Sequence, residues 1–338
     1  MASPVFGQGY IPSTGNITTE LSAVTRRAFV PKVVVQMYKA APLLSMAMRN
    51  AQRARGGLSA ISIPIQNASF VNFNWTDYSG GFPLPSVQTA LQSAAWNLSI
   101  GVVPVSLLGT ESLTQSTEAV IPIVKARMND LKTVAVQSIA TALFSSSAGN
   151  ALAINGLADA YDNGTTVLNY GGINRTAVPQ WQAQVYSTSF APTRSTMLKR
   201  LEQATFGAGG ESPDFIVMSM GDWATLMDDY LSLERYNTDP NMRYGADDAV
   251  NSGFRCITLG GVPVVGDPFC PTGTAYMLNS KYLGLYISED ANFSMSDWHS
   301  LIPNAQIASV AVMIVAMALA CSKPVSGMKL TTLTGAAF

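Results

Sequence analysis

The chain has 338 residues, of which 48% are hydrophobic and 12% charged, and its formal net charge is −1. The hydrophobic share is ample for a packed core and excludes an intrinsically disordered chain, while the absence of a basic tail argues against a dedicated nucleic-acid reader. Charged residues are about half as frequent as in an average soluble domain. Much of the surface must therefore be apolar or uncharged, and such a surface normally meets other protein subunits or lipid.

The N-terminal region predicts an arm followed by short helices. Residues 1–25 are rich in Gly, Pro, Ser and Thr and show no helical periodicity, which is typical of an extended arm. No basic segment followed by an apolar core is present there, so secretion is not expected. From Arg26 to Gln52 the apolar positions favour short helices that Pro31 and Pro42 interrupt.

The segment from Gly56 to Thr110 predicts a long β-hairpin. It carries one charged residue, Asp77. Apolar and polar residues alternate over residues 61–65 and 71–75, and a second extended run covers Ala94 to Leu108. A stretch rich in Gly and Pro separates the two runs. The hairpin is therefore expected to have an elaborate tip.

A long amphipathic helix is predicted after the hairpin. Ser112 and Gln115 have the spacing of a capping box. After Pro122, apolar residues recur at steps of four and three, the pattern of one buried helix face. These residues are Val124, Met128, Leu131, Ala135, Ile139 and Ala142. About 22 residues at about 1.5 Å each give a rod of about 33 Å.

The second half of the chain predicts shorter elements without regular strand–helix–strand alternation, which favours the α+β class. The prediction comprises a loop over 149–180, a helix over 193–206 that stops at Gly207, a strand over 215–218, a helix capped by Ser219 that runs to Leu231, and strands over 262–265 and 275–278. The uncharged run from Ala305 to Cys321 fits either a short membrane helix or a strand buried on both faces. Its β-branched residues favour the strand.

No constellation of residues predicts catalysis, a cofactor or a metal site. The single histidine, His299, excludes motifs that need two histidines. The adjacent pairs Asp228–Asp229 and Asp247–Asp248 lack convergent geometry, so solvated charges are expected instead of acid–base groups or a weak calcium site. The cysteines form no C-x-x-C pair and are expected to be free thiols in a reducing cytoplasm. They are Cys256, Cys270 and Cys321.

Several short segments, in this order along the chain, carry a family resemblance. They are residues 103–113, 155–158, 214–219, 260–268 and 303–307. The sequence resembles, over about residues 20–335, the major capsid protein of tailed double-stranded-DNA bacteriophages. The family has the Hong Kong 97-type capsid fold, with an N-terminal arm, an extended hairpin called the E-loop, a spine helix, a peripheral domain and an axial domain.

This resemblance implies a division of the chain. The implied parts are the arm and short helices over 1–54, the E-loop hairpin and a peripheral-domain strand over 55–110, the spine helix over 111–148, mainly the axial domain over 149–300, and the return strand of the peripheral domain over 301–338. Near the hairpin, Trp75, Asp77 and Tyr78 at the tip and Arg53 and Arg55 at the base are candidate intersubunit contacts. The alternative that Trp75 packs only within its own subunit stays open.

The resemblance also implies a structural function. The chain would assemble in the bacterial host cytoplasm, as hexamers and pentamers, into an icosahedral virion shell around double-stranded DNA. Contact with that DNA would be non-specific, and no membrane, cofactor or enzymatic activity is expected. A portal, decoration proteins and a separate scaffolding protein are the implied partners, because the sequence starts with the arm instead of a scaffolding segment. No lysine lies between Lys39 and Lys125, so the isopeptide link of the founding member cannot form from the E-loop.

Two other functions remain alternatives at this level. An outer-membrane or cell-surface β-rich structural protein would explain the uncharged hairpin segment and the apolar run, but it predicts a signal peptide, which the N-terminal residues do not resemble. An enzyme with an unrecognised site is the second alternative. The single histidine and the missing motifs disfavour it.

Overall fold

The structure is a computed structural model. It describes residues 41–54, 60–66, 91–108, 117–150, 152–231, 256–301 and 308–335. The chain divides into two compact units. Of the described residues, the first unit contains 101–108, 117–135, 291–301 and 308–315, and the second contains the others.

Helices and strands are mixed along the chain, which confirms the predicted α+β class. The helices are α1 (Pro42–Arg49), α2 (Thr117–Phe144), α3 (Leu157–Ala160), α4 (Arg194–Gly207) and α5 (Met220–Leu231). The strands are β1 (Gln52–Ala54), β2 (Ala60–Gln66), β3 (Leu91–Asn97), β4 (Ser99–Leu108), β5 (Asn169–Tyr170), β6 (Ile173–Asn174), β7 (Gln184–Tyr186), β8 (Phe215–Ser219), β9 (Cys256–Leu259), β10 (Val262–Asp267), β11 (Ala275–Leu278), β12 (Leu283–Ser288), β13 (Ser294–Met295), β14 (His299–Ser300), β15 (Ala308–Cys321) and β16 (Met328–Leu330).

The first unit is built on the N-terminal half of β15. The short strands β13 and β14 pair with it in antiparallel orientation, with His299 opposite Val310. Strand β4 also pairs with β15. Within this unit, Nη1 of Arg127 in α2 donates a hydrogen bond to the carbonyl oxygen of Ser106 in β4, at 2.6 Å. A charged side chain therefore joins the helix to the sheet.

The second unit contains a six-stranded sheet in the order β7-β16-β11-β8-β10-β9. Strands β8 and β10 are parallel, whereas β8 and β11 are antiparallel. Helices α4 and α5 pack against this sheet, and Leu201 and Leu226 join Ile216 of β8 in one apolar core. Helix α5 follows β8 directly, and the amide of Asp222 donates to Oγ of Ser219 at 3.3 Å. The predicted cap at Ser219 is confirmed.

The apolar run near the C-terminus is a strand, not a helix. The C-terminal half of β15 pairs in antiparallel orientation with β12, from Leu283 opposite Cys321 to Ile287 opposite Met317. Its last seven residues are all buried, as expected for a strand covered on both faces. Among the described residues, none of the helices is both long and apolar enough to cross a membrane.

The predicted hairpin and the predicted helix face are both present. Strands β2 and β3 pair in antiparallel register from Ala60 opposite Asn97 to Gln66 opposite Leu91. Four residues of the predicted helix face, Met128, Leu131, Ala135 and Ile139, are at most 7% exposed. The second alternating run at 71–75, the expected tip after it, and the capping-box residues Ser112 and Gln115 lie outside the described residues.

Three boundaries predicted from the sequence are wrong. Helix α2 begins at Thr117, before Pro122, and has 28 residues; it thus continues through a proline, although proline lacks the N–H that would complete one helix hydrogen bond. Helix α4 includes Gly207, and the left-handed residues are Gly209 and Gly210, at φ +78° and +94°. The region predicted as a loop over 149–180 contains α3 and the β5–β6 hairpin, which were too short to show periodicity.

Candidate functional site

The base of the β2–β3 hairpin is held by a cluster of aromatic rings in the second unit. The Trp96 ring lies 5.5 Å from that of Tyr170 and 6.5 Å from that of Trp181, and the last two are 6.0 Å apart. All three side chains are at most 2% exposed. Rings at such distances stabilise each other beyond simple burial. The cluster therefore fixes the hairpin base on the loop that carries Tyr170 and Trp181.

Backbone contacts make this attachment close. The amide of Ala95 in β3 donates to the carbonyl oxygen of Gly171 at 2.9 Å. Gly171 has φ +58°, and a Cβ placed on it would lie 3.0 Å from Cζ2 of Trp96. Any other residue would meet both a strained backbone and the indole ring. Glycine at position 171 therefore allows the tryptophan to approach this closely without displacement.

A buried arginine organises the loop on the other side of the aromatic cluster. The guanidinium of Arg175 is fully buried and lies 5.0 Å from the centre of the Tyr170 ring. Its nitrogens donate to the carbonyl oxygens of Asp159, Ala160 and Val167 at 2.7–2.9 Å, with a longer bond to Trp181 at 3.3 Å. Burial lowers the pKa of Arg175, and the nearby Asp162 carboxylate opposes that shift. One cation therefore satisfies carbonyl groups from both ends of the loop.

Two carboxylates support the same loop. Asp162 accepts hydrogen bonds at Oδ2 from the amides of Gly164, Thr166 and Val167, at 2.9, 3.2 and 2.9 Å. Asp159 accepts from the Ser146 hydroxyl and from the amide of Ser147. Both carboxylates are therefore hydrogen-bonded to nearby residues of the same segment. The loop is therefore a rigid platform for the hairpin, not an acid–base site.

The hairpin and the strand after it expose apolar surface. Leu91 at the far end of β3 is 56% exposed, and Ile100, Val102 and Leu108 of β4 are 66%, 55% and 52% exposed. Within the described part of the chain, β2 and β3 pair only with each other. Two-stranded hairpins are marginally stable alone. An apolar, uncharged surface of this kind is suited to contact with another protein.

Of the five contact residues predicted from the sequence, the structure describes Arg53 alone. Arg53 lies on β1, is exposed, and stands opposite Ile287 of β12. Arg55, Trp75, Asp77 and Tyr78 lie outside the described residues, so their role as intersubunit contacts stays a prediction. Sequence reasoning missed the anchor at Trp96, Tyr170, Trp181 and Arg175. Only Trp96 carried a signal, because it follows the alternation of β3.

The titratable groups do not form a catalytic arrangement in the described residues. His299 is exposed, and Oδ2 of Asp229 accepts a hydrogen bond from the amide of Arg194 at 2.7 Å. No group of three or more His, Cys, Asp or Glu side chains suited to a metal ion occurs among these residues. Burial raises the pKa of Cys321 to about 11 and raises that of Cys270 well above its usual range. Such thiols stay protonated and are poor nucleophiles at neutral pH.

No protein-family model matches the chain, and no curated protein matches its sequence. Solved structures do match its fold. A subunit of the cyanophage A-1(L) capsid asymmetric unit is 16% identical with a TM-score of 0.63, and the match covers 87% of this chain and 93% of that chain. The encapsulin in the holo-SrpI encapsulin complex from Synechococcus elongatus PCC 7942 is 12% identical with a TM-score of 0.55, over 90% and 92% of the two chains. Since each match spans almost the whole of both chains, this protein has the Hong Kong 97-type fold of capsid and encapsulin subunits.

Proposed function

We propose that this chain is the major capsid protein of a tailed bacteriophage and assembles with copies of itself into a closed icosahedral shell around double-stranded DNA. The observation that carries the proposal is the structural match to a cyanophage capsid subunit over 87% of this chain and 93% of that chain. In this proposal the copies form hexamers and pentamers. A portal, a separate scaffolding protein and decoration proteins are the partners of the shell. The virion is the proposed location, after assembly in the host cytoplasm.

The uncharged, partly apolar surface of the strands supports a subunit that contacts many other subunits. The hairpin strands carry no charge, and β4 presents Ile100, Val102 and Leu108 to solvent. Exposed edges and apolar faces lead to aggregation unless a partner covers them. In a closed shell each such face meets a symmetry-related copy, and many modest contacts add up. Contacts with packaged DNA are then weak and non-specific, because the net charge of −1 gives no basic footprint.

The division of labour within the subunit follows the same proposal. The arm, the E-loop hairpin, the spine helix, the axial domain and the return strand have the boundaries given above. Arg53, Arg55, Trp75, Asp77 and Tyr78 contact neighbouring subunits. The subunit works by packing and has no catalytic activity or cofactor. The alternative of a cell-surface β-rich protein finds no support in the two structural matches.

An encapsulin-like protein compartment is a second candidate function, favoured by the match to the Synechococcus encapsulin. The two candidates differ in what the shell encloses. Particles purified from cells that express the chain with its neighbouring genes would be treated with nuclease and then opened. Protected double-stranded DNA supports the capsid, whereas a stoichiometric protein cargo without DNA supports the compartment.

The basic test is whether the purified chain forms shells. Negative-stain microscopy should show uniform hollow particles, whereas monomers that need detergent or discrete small oligomers would contradict the proposal. Particles boiled in SDS with reductant should run as one band near 35.8 kDa, because the hairpin segment has no lysine for an isopeptide link. A persistent ladder of multiples would show a covalent link of another kind.

A further inference from the structure

A small polar pocket lies in the second unit beside the base of the β2–β3 hairpin. Its volume is about 230 Å³, below the roughly 300–1,000 Å³ of sites that take drug-sized ligands. Three segments contribute its lining: residues 95–99 at the junction of β3 and β4, residues 147–159 after α2, and residues 167–172 around the β5–β6 turn. A pocket of this size suits a single small ring better than a long ligand.

Hydrogen bonds within the subunit hold the three segments together. The amide of Ala95 donates to the carbonyl oxygen of Gly171 at 2.9 Å, and both residues line the pocket. The Ser99 hydroxyl donates to the carbonyl oxygen of Ala153, also at 2.9 Å. These two bonds connect the strand junction to each of the other segments. A site whose shape is held in advance binds a ligand with less loss of conformational freedom.

Three asparagine side chains give the pocket its chemistry. Asn97, Asn155 and Asn169 line it, and their side chains make no hydrogen bond to the part of the chain that the structure describes. A carboxamide donates hydrogen bonds through its nitrogen and accepts them through its oxygen. Each one can therefore donate to one hydroxyl group and accept from its neighbour. Three carboxamides around one small cavity suit a ligand with hydroxyl groups on several sides.

The lining disfavours anions and metal ions. None of the described residues that line the pocket is a Lys, Arg or His, so a phosphate or carboxylate would have no counter-charge there. Asp159 is the acidic residue in the lining, and both of its carboxylate oxygens already accept hydrogen bonds. Calcium takes about six to eight oxygen ligands, and one carboxylate that is already hydrogen-bonded is a poor start for such a site. The pocket therefore favours a neutral ligand.

A sugar ring fits this lining better than a peptide does. Apart from Tyr170 and the glycines, the apolar side chains in the lining are two alanines and Val167, which leave little apolar surface for the side chains of a peptide. The Tyr170 ring is packed against the rings of Trp96 and Trp181, at 5.5 and 6.0 Å. A sugar in this pocket is therefore held by hydrogen bonds and not by stacking on an aromatic ring.

We propose that the pocket between Asn97, Asn155 and Asn169 binds a neutral sugar in its pyranose form, through hydrogen bonds between the three carboxamides and neighbouring hydroxyl groups of the ring. This binding activity is separate from shell assembly and goes beyond the proposed function. A free monosaccharide and the end residue of a glycan offer the same ring, so the experiment distinguishes these two sources.

Saturation-transfer NMR detects this binding on the purified chain, as subunits or as particles. The probes are glucose, galactose, mannose and N-acetylglucosamine, the methyl glycoside of each, and glucuronate. We expect transfer to at least one neutral sugar, and binding of glucuronate that is at least several-fold weaker, because its carboxylate meets Asp159 without a counter-charge.

The methyl glycosides identify the source of the sugar. Equal binding of a sugar and its methyl glycoside indicates the end residue of a glycan, whereas binding of the free sugar alone indicates a monosaccharide. No transfer to any neutral probe, or glucuronate that binds as tightly as the neutral sugars, would overturn the inference.

Matched asparagine variants place the binding in the pocket. Asn155→Ala removes one carboxamide from the lining, and Asn129→Ala makes the same change at an exposed position of α2 that does not line the pocket. Losing the hydrogen bonds of one carboxamide should weaken sugar binding about fivefold or more, and the control should bind like the parent. Thermal melting checks that both variants fold. If Asn155→Ala does not fold, Asn97→Ala, at an exposed position of β3, takes its place.

Equal sugar binding by the pocket variant and by Asn129→Ala would overturn the inference. A parent chain that binds sugar through the pocket but forms no shells would contradict the proposed function and support the pocket. Shells that bind no neutral sugar would do the reverse.

Discussion

The six-stranded sheet and the β2–β3 hairpin use similar residues for opposite purposes. All five residues of β8 are buried between neighbouring strands and helices. In the hairpin, Ser62, Pro64 and Gln66 of β2 are exposed, and so is Leu91 of β3. The sheet is complete within one subunit, whereas the hairpin leaves surface uncovered. Uncharged strands thus stabilise the chain in one place and, under the proposed function, are available for assembly in the other.

The largest expected effect comes from placing the same charge in each region. Met218→Asp in β8 buries a carboxylate in the core of the second unit, where Met218 has no exposed surface. A loss of about 5 kcal/mol or more is expected, close to the whole stability of a typical domain. Leu91→Asp on the hairpin should leave the melting temperature nearly unchanged and reduce shell formation. Thermal melting and sedimentation of both variants check the pair, and a folded Met218→Asp subunit would contradict the assignment of the core.

Arg175 tests the anchor that connects the hairpin base to the rest of the second unit. Arg175→Met leaves the carbonyl oxygens of Asp159, Ala160 and Val167 without their donor, and a loss of about 3–5 kcal/mol is expected. Arg53→Met, at an exposed position, should stay within about 0.5 kcal/mol of the parent. Urea unfolding followed by tryptophan fluorescence measures both. Equal stability of the two variants would mean that the loop does not depend on its buried cation.

Changing two neighbouring glycines one at a time distinguishes backbone strain from steric conflict at the aromatic cluster. Gly171 and Gly172 both have positive φ, but only a Cβ at 171 would meet the Trp96 ring, since nothing lies within 4 Å of one at 172. Each change to alanine should cost about 1–2 kcal/mol for the left-handed backbone. Gly171→Ala should cost about 1 kcal/mol more and shift the tryptophan emission. The same loss and the same spectrum in both variants would refute the close approach.

The smallest expected effect concerns acid stability of the second unit. Glu211 accepts from Nζ of Lys323 at 2.7 Å and from the Tyr282 hydroxyl at 2.8 Å, and these bonds lower the pKa of its carboxyl below the usual 4.5. A lowered folded pKa gives stability that is present above the unfolded pKa and is lost as pH falls through the folded one. Glu211→Gln should therefore lower the melting temperature slightly at pH 7 and not at strongly acidic pH. Glu202→Gln, exposed on α4, serves as the control and should change neither value.

Much of the fold could be predicted from local patterns in the sequence. Alternation predicted β2, an extended run from Ala94 predicted the end of β3 and β4, the stripe from Met128 to Ile139 predicted the buried face of α2, and the apolar run Phe215–Met218 predicted β8. These elements are long or strongly periodic, so their own residues identify them. The order of weak motifs then predicted the Hong Kong 97-type fold, which the structural matches confirm.

The hairpin anchor could not be predicted in the same way. Arg175 lies in a region with no periodicity, and its partners are carbonyl groups, which every residue has. Gly171 looked like any loop glycine, because its need for a small side chain depends on Trp96, which is 75 positions away in the sequence. Contacts of this kind are set by how distant segments meet, and a single sequence carries no local mark of them.

The sequence by itself determined the long or strongly periodic strands and helices, and that much of the surface is uncharged. It favoured a strand over a helix for residues 305–321, through their β-branched residues, but an uncharged run of this kind does not show what it pairs with. The tertiary structure decided this, because the C-terminal half of β15 pairs with β12. Tertiary structure also decided which uncharged strands are covered and which are exposed, since burial depends on what packs against a strand and not on the strand alone.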